Sequence, residues 1–396
     1  MPRVLILLAA LLLAILPARA ATDADMRAWL EATVWPDAAR AGVSRATFEA
    51  ALPEIRILRN LPDLAGGGGG GQAEFSSPGR YFDEGQIAAL ARIGRDRLTK
   101  WSAVFDQVER RYGVPRAIIA AVWARESNYG AAKIPHSALS VLATQALLGT
   151  RKALFYPELI AALQILEADH LPAAMLKSSW AGALGQPQFM PSKFLAHAVD
   201  FDGDGRPDIW SSVPDTLASI ANYLAEAGWN RAVSWGEEVS VPAEVACSLE
   251  GPEQGRPLRD WAGGGLAPQA GRFAGSAGDR RFLLMPAGRL GPAFLVTENF
   301  YVLKRYNEGD LYALFVGHLA DRMTGATPIA GRWGSVDRLT RADVRRMQQG
   351  LIERGHDVGG ADGLVGFRTR VAIGRHQAAS GLDVTCMPGK DLRLGG

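Results

Sequence analysis

The chain has 396 residues, more than one ordinary hydrophobic core accommodates, and so predicts two or three domains. Its 43 Lys and Arg against 41 Asp and Glu leave a net charge of +2, which gives no electrostatic case for nucleic-acid binding. Hydrophobic residues make up 48%, ample for a buried core and incompatible with a disordered polyelectrolyte.

Residues 1–20 read as a secretory signal peptide. Arg3 gives the positive start, residues 4–16 the apolar run, and Ala18, Arg19 and Ala20 a small-x-small cleavage site before Ala21. The run is shorter than the ~20 apolar residues a membrane span needs, so the mature protein is expected to carry no span and to reach an oxidising compartment. Residues 25–64 read as helical, with Trp29, Ala32 and Phe48 inward. The glycine run 66–71 has no preceding strand and opens no helix, so it reads as a surface loop and not a phosphate cradle.

Trp101, Val104, Phe105, Val108 and Tyr112 form a helical stripe. Gly113 and Pro115 then open a second helix, in which Ile119, Val122 and Glu126 recur at i, i+3 and i+7 and which Gly130 stops. Pro157 is expected to open another, with Leu159, Ile160, Leu163 and Leu166 inward, and residues 213–227 a further one through Leu217, Ile220 and Leu224. Short β-type runs at 237–245 and 281–296, broken by Pro-Ala-Gly and Gly-Pro turns, predict a small β-rich insertion before helix returns at 311–323. Residues 324–334 lack periodicity and read as a linker. Beyond them Thr340 and Asp343 make a capping box for a helix through Val344, Met347 and Leu351, and a glycine-rich loop leads to another through Thr369, Val371 and Ile373. Cys247 and Cys386 fall in different predicted domains, which leaves a disulfide and two buried thiols both open.

Glu126 carries the chemistry. A carboxyl that continues an apolar stripe is desolvated, which raises its pKa and makes it a usable general acid near neutral pH. By spacing alone it reads first as an ion-paired helix-edge residue, and only motifs elsewhere move the choice to a catalytic acid. Glu126-Ser127-Asn128-Tyr129-Gly130 is followed by the turn-rich segment 178–192, Ser-Ser-Trp-Ala-Gly-Ala-Leu-Gly-Gln-Pro-Gln-Phe-Met-Pro-Ser. Next come Asp200-Phe201-Asp202-Gly203-Asp204-Gly205, Ala221-Asn222-Tyr223-Leu224 and Asn299-Phe300-Tyr301-Val302-Leu303-Lys304-Arg305-Tyr306-Asn307. In this order the motifs resemble the membrane-bound lytic murein transglycosylase B family, periplasmic enzymes that cleave the peptidoglycan glycan, and the resemblance covers about residues 25–325.

The resemblance implies a mainly α, lysozyme-like catalytic core over 21–325, a linker at 326–334, and at 335–396 a small three-helix peptidoglycan-binding module. It implies that Ser179 and Gln188 stand beside the catalytic Glu126, and that Tyr223, Tyr306, Asn307 and Tyr312 line the sugar groove. Tyr81 and Phe82 correspond to aromatic residues at its entrance. No cysteine stands near the cleavage site, so the lipoprotein anchor of some relatives is not expected. The module departs from its usual pattern at His376-Gln377, where an aromatic residue normally precedes the glutamine.

Asp200, Asp202 and Asp204 alternate before Gly205 like the start of an EF-hand loop, but Ser211 stands where the closing glutamate belongs. Asp208 and Asp215 could supply the missing charge; the resemblance favours Asp215, with the carbonyl of Arg206 as a further ligand. The expected metal is a structural calcium, and no organic cofactor is expected. The sequence has no H-E-x-x-H pair, G-x-S-x-G elbow or phosphate loop. The expected activity is cleavage of the β-1,4 bond between N-acetylmuramic acid and N-acetylglucosamine to 1,6-anhydromuramic ends. A hydrolytic muramidase and a non-catalytic wall-binding scaffold are the rival readings. The expected partner is the peptidoglycan strand, in the periplasm.

Overall fold

Ala117 to Ala124 are all buried in the helix Arg116–Ser127, so the predicted stripe proves to be a helix enclosed on almost every side. The helices Glu84–Lys100, Ser102–Tyr112, Val213–Glu226 and Asp310–Met323 surround it, which is why small alanines alternate with Ile119, Val122 and Trp123. The computed structural model describes residues 21–62, 64, 78–169, 172–337 and 339–389. The predicted signal peptide, residues 1–20, and the 66–71 glycine run lie outside them.

Several boundaries differ from expectation. The N-terminal helices bury Met26, Leu30, Val34 and Ala38, four residues apart, because the turn Leu30–Val34 is π-helical and wider than an α turn. Ala32 therefore faces solvent, Trp29 is half-buried and Phe48 is buried. Pro157 lies inside the helix Lys152–Asp169 instead of opening it, at an exposed position early enough that only one helical hydrogen bond is lost. The central helix stops before Gly130: Asn128, Tyr129 and Gly130 all take positive φ, at 50°, 58° and 80°.

The larger of two sheets has five antiparallel strands in the order Arg256–Pro257, Arg280–Leu284, Ala293–Val296, Gly236–Ser240 and Ala267–Pro268. Its period-two alternation feeds two cores at once. Phe282, Leu284, Phe294 and Val296 point into the helical core, whereas Val239, Leu283 and Leu295 face a second cluster with Cys247, Trp261 and Cys386. A third cluster, built on Val344, Met347, Leu351 and Ile373, holds the C-terminal helices Arg341–Glu353 and Phe367–Ala379 together. These are the two helices among the described residues of this segment. The stretch between them is turned by Gly359, Gly360 and Gly363 at positive φ.

The C-terminal segment is docked on the rest of the chain. Cys247 and Cys386 are disulfide-bonded across 139 residues, which resolves the alternative that sequence left open. The segment leading to it lies along the sheet: Ala330 and Gly331 donate backbone N–H to Glu238 at 2.9 and 2.7 Å, and Trp333 stacks on Phe82 at 5.0 Å. Phe82 is thereby buried in the core.

Candidate active site

Glu126 comes one residue before the end of the central helix, at the junction of the helical core with the segment 178–192. Part of the residue reaches the surface, yet its carboxyl is packed densely enough that burial pushes its pKa up to about 7. The Tyr312 hydroxyl, which donates to Oε1 at 2.5 Å, and the Arg125 guanidinium both oppose that rise. Burial wins, so the carboxyl is a poised acid at neutral pH. Among the described residues no carboxylate joins these two groups in setting its acidity.

Tyrosines build one wall. Tyr312 and Tyr306 are stacked at 6.4 Å with planes 12° apart, and Tyr223 meets Tyr306 edge-on at 4.9 Å. Two of the hydroxyls are spent on backbone: Tyr306 donates to the Pro187 carbonyl at 2.7 Å, and Tyr223 donates to the Arg305 carbonyl. The rings are therefore fixed in orientation. Arg125, the residue before Glu126, lies over the rings of Tyr81 and Phe315, 4.6 and 5.2 Å from their centres.

The segment 178–192 folds as linked turns. Ser179 N–H donates to the Ala183 carbonyl at 2.8 Å, and the Ala183 N–H donates to Ser179 Oγ. Gln188 sits at φ 53° with its amide donating to the Gly185 carbonyl at 2.8 Å. Asn307 accepts the Gly309 N–H at 3.1 Å in the exposed turn after Tyr306. The structure thus joins Glu126 directly to Tyr312 and, through ring stacking, to Tyr306 and Tyr223. Ser179, Gln188 and Asn307 bond within their own turns.

Gln186 was missed by sequence reasoning. Its Oε1 accepts the Trp123 indole N–H at 2.8 Å and its amide donates to the Trp210 carbonyl at 3.0 Å. It ties the Glu126 helix to the turn segment, and its place inside the quoted motif was the available signal.

In the acidic loop, carboxylate oxygens of Asp200, Asp202 and Asp204 lie within 4.8 Å of one another. Asp200 accepts the N–H groups of Gly203 and Gly205 at 2.7 and 2.9 Å, which curls the loop around it. Asp215 stands apart and buried, accepting N–H from Phe201 at 2.8 Å, Asp202 at 3.3 Å and Asp208 at 2.8 Å. Asp208 caps the N–H groups of Trp210 and Ser211, and the Arg206 N–H bonds to Asp204. Three hard oxygen donors on a tight loop fit a calcium ion in chemistry.

A helical core presenting one acidic glutamate beside a tyrosine wall defines the lysozyme-like class. The family model described as Transglycosylase SLT domain matches residues 25–321, and the chain belongs to that family. The membrane-bound lytic murein transglycosylase B of Escherichia coli (strain K12) is 31% identical over 225 residues, 55% of this chain. The match spans 60% of that relative's length. SltB3 from Pseudomonas aeruginosa, solved with NAG-NAM-pentapeptide and with NAG-anhNAM-pentapeptide, is 36% identical with a TM-score of 0.83, covering 93% of this chain and 99% of that chain. SLT35 of Escherichia coli, solved in complex with calcium, has a TM-score of 0.61 at 24% identity over 76% of this chain and 92% of that chain, which bears on the fold alone. Among the described residues no helix is long and apolar enough to cross a membrane.

Proposed function

We propose that the protein is a lytic murein transglycosylase that cleaves the β-1,4 bond between N-acetylmuramic acid and N-acetylglucosamine with Glu126 as its single acid and base. The observation that carries this reading is a buried Glu126 carboxyl whose acidity is set by burial, the Tyr312 hydroxyl and Arg125, with no second carboxylate among them; a two-carboxylate glycosidase needs a second acid ~5–9.5 Å away. Glu126 gives its proton to the glycosidic oxygen as the C1–O bond breaks, while the substrate's N-acetyl oxygen assists at C1. The Tyr312 hydroxyl holds the resulting carboxylate. That carboxylate then takes the proton of the muramyl 6-hydroxyl, whose oxygen closes on C1 and releases the N-acetyl group. Intramolecular attack outcompetes water through its high effective molarity.

Two findings support the substrate and product: family membership, and the relative solved with NAG-anhNAM-pentapeptide. Ser179, Gln188, Tyr223, Tyr306 and Asn307 are read as groove residues on the same grounds. Digestion of sacculi in 18O-water is expected to give anhydromuramyl ends without label, and Glu126→Gln to give none. Label at the muramyl C1 would make the enzyme a muramidase, and an active Glu126→Gln would remove Glu126 from the chemistry.

The acidic loop is read as a structural calcium site held by Asp200, Asp202 and Asp204, with the Arg206 carbonyl as a further ligand; Asp215, expected as a ligand, instead has both oxygens engaged by three backbone N–H groups and braces the loop. Calcium there would brace the loop and take no part in bond cleavage. The segment 335–396 is read as a wall-binding module and the compartment as the periplasm. The Cys247–Cys386 disulfide supports export from the reducing cytoplasm.

A further inference from the structure

Arg370, in the C-terminal helix Phe367–Ala379, is 2% exposed and makes four hydrogen bonds. Its Nε and Nη2 donate to the two oxygens of Glu250 at 2.9 and 2.6 Å, Nη2 also reaches Asp310 Oδ2 at 2.8 Å, and Nη1 donates to the Val365 carbonyl at 3.0 Å. The other oxygen of Asp310 accepts from Lys304 Nζ at 2.5 Å. Glu250 belongs to the β-rich insertion, so one guanidinium joins three parts of the chain.

The place where they meet bears on catalysis. Lys304 and Tyr306 end the helix Glu298–Tyr306, and Asp310 and Tyr312 begin the next, Asp310–Met323. Side chains two apart on a helix point about 200° from each other. Asp310 is therefore gripped from the back while Tyr312 faces Glu126, and its link to Lys304 fixes the stacked partner Tyr306 as well.

We propose that Arg370 is a positioning residue for the transglycosylase reaction: by clamping Asp310 it holds Tyr312, and with it Tyr306, in register against Glu126. The C-terminal segment is thus part of the catalytic apparatus. The inference rests on Glu126 being the acid. The groups that face Glu126 are Arg125 on its own helix, Tyr312 and Tyr306; Arg370 is faced by Glu250 and Asp310, with Lys304 bonded to Asp310 and Tyr301 beside the cluster.

The test measures kcat and KM against pH on soluble glycan fragments, with thermal melts, for the full chain. The variants are Glu126→Gln, Tyr312→Phe, Arg370→Met, Arg370→Lys and Arg370→Met/Glu250→Gln. The double variant removes the buried acid that the single one strands, which keeps the test open if the single variant fails to fold. In both Met variants kcat is expected to fall about tenfold with KM within about twofold, the signature of an interaction made in the transition state. The basic limb of kcat is expected to move to higher pH, the direction Tyr312→Phe gives, because the tyrosine bond lowers the Glu126 pKa. Arg370→Lys should recover part of both. A loss of rate that follows only the melting temperature, with the limb unmoved, would overturn the proposal. So would wild-type rates in the double variant while Glu126→Gln is dead. An active Glu126→Gln would instead overturn the catalytic reading itself, and this one with it.

Discussion

Glu126 makes the protein less stable as the price of its chemistry. Burial raises its pKa above the ordinary 4.5 to about 7, and at about 1.4 kcal/mol per pH unit this is a penalty of ~3 kcal/mol on ionising it in the fold. The sign follows from proton counts. Below about pH 4.5 both folded and unfolded states are protonated and there is no penalty; it grows as pH rises and is complete above about pH 7. Glu126→Gln is therefore expected to melt above the wild type at about pH 8 and level with it at about pH 4, which calorimetry would show. Asp321 behaves alike: burial pushes it up from 3.8 to about 7 against a hydrogen bond from the Trp235 indole at 2.9 Å. Asp321→Asn should stabilise in the same alkaline window, separating a general cost of burial from one tied to catalysis.

At the scale of elements, the turn after the central helix leaves no room for change. A Cβ on Gly130 would lie 2.4 Å from Gln186 Oε1, at a φ of 80° that side chains rarely adopt. Gly130→Ala is expected to cost ~1–3 kcal/mol by urea denaturation, and to lower activity by loosening the Trp123–Gln186 tie. The acidic loop has its own expected behaviour. Calcium should raise the melting temperature by mass action, and Asp200→Asn should abolish the increment; unchanged melts with and without chelator would exclude a calcium site.

The sequence was legible where local chemistry decides. The capping box at Thr340 and Asp343, the helix through Leu217 and Leu224, and the β runs all formed as their residues require. It was illegible where partners lie far apart in the chain. Nothing local says that Gln186 meets Trp123, or that Arg370 meets Glu250 and Asp310. Ala32 was misassigned because a π turn shifts the buried face, which composition does not announce. The site was read through Glu126 and its motifs, and the fixing of the tyrosine wall by backbone carbonyls was not visible in them.

At the scale of the molecule, the C-terminal segment is held by a disulfide, the Arg370 cluster and the strap on Glu238. A chain ending near residue 325 loses all three. It takes the guanidinium from Glu250 and leaves Asp310 with Lys304 alone, a loss of ~3–5 kcal/mol for a broken buried pair. We expect it to unfold at lower denaturant and to cleave soluble glycans more slowly, and equal stability of the two forms would count against the docked arrangement. The disulfide has one more consequence. A protease that nicks the strap between residues 326 and 337 cuts between Cys247 and Cys386, so the two fragments stay covalently joined. On a non-reducing gel the clipped enzyme would run as one species, and it would come apart only in reductant. Clipping outside the cytoplasm would therefore leave the tail on the enzyme and Arg370 at its post.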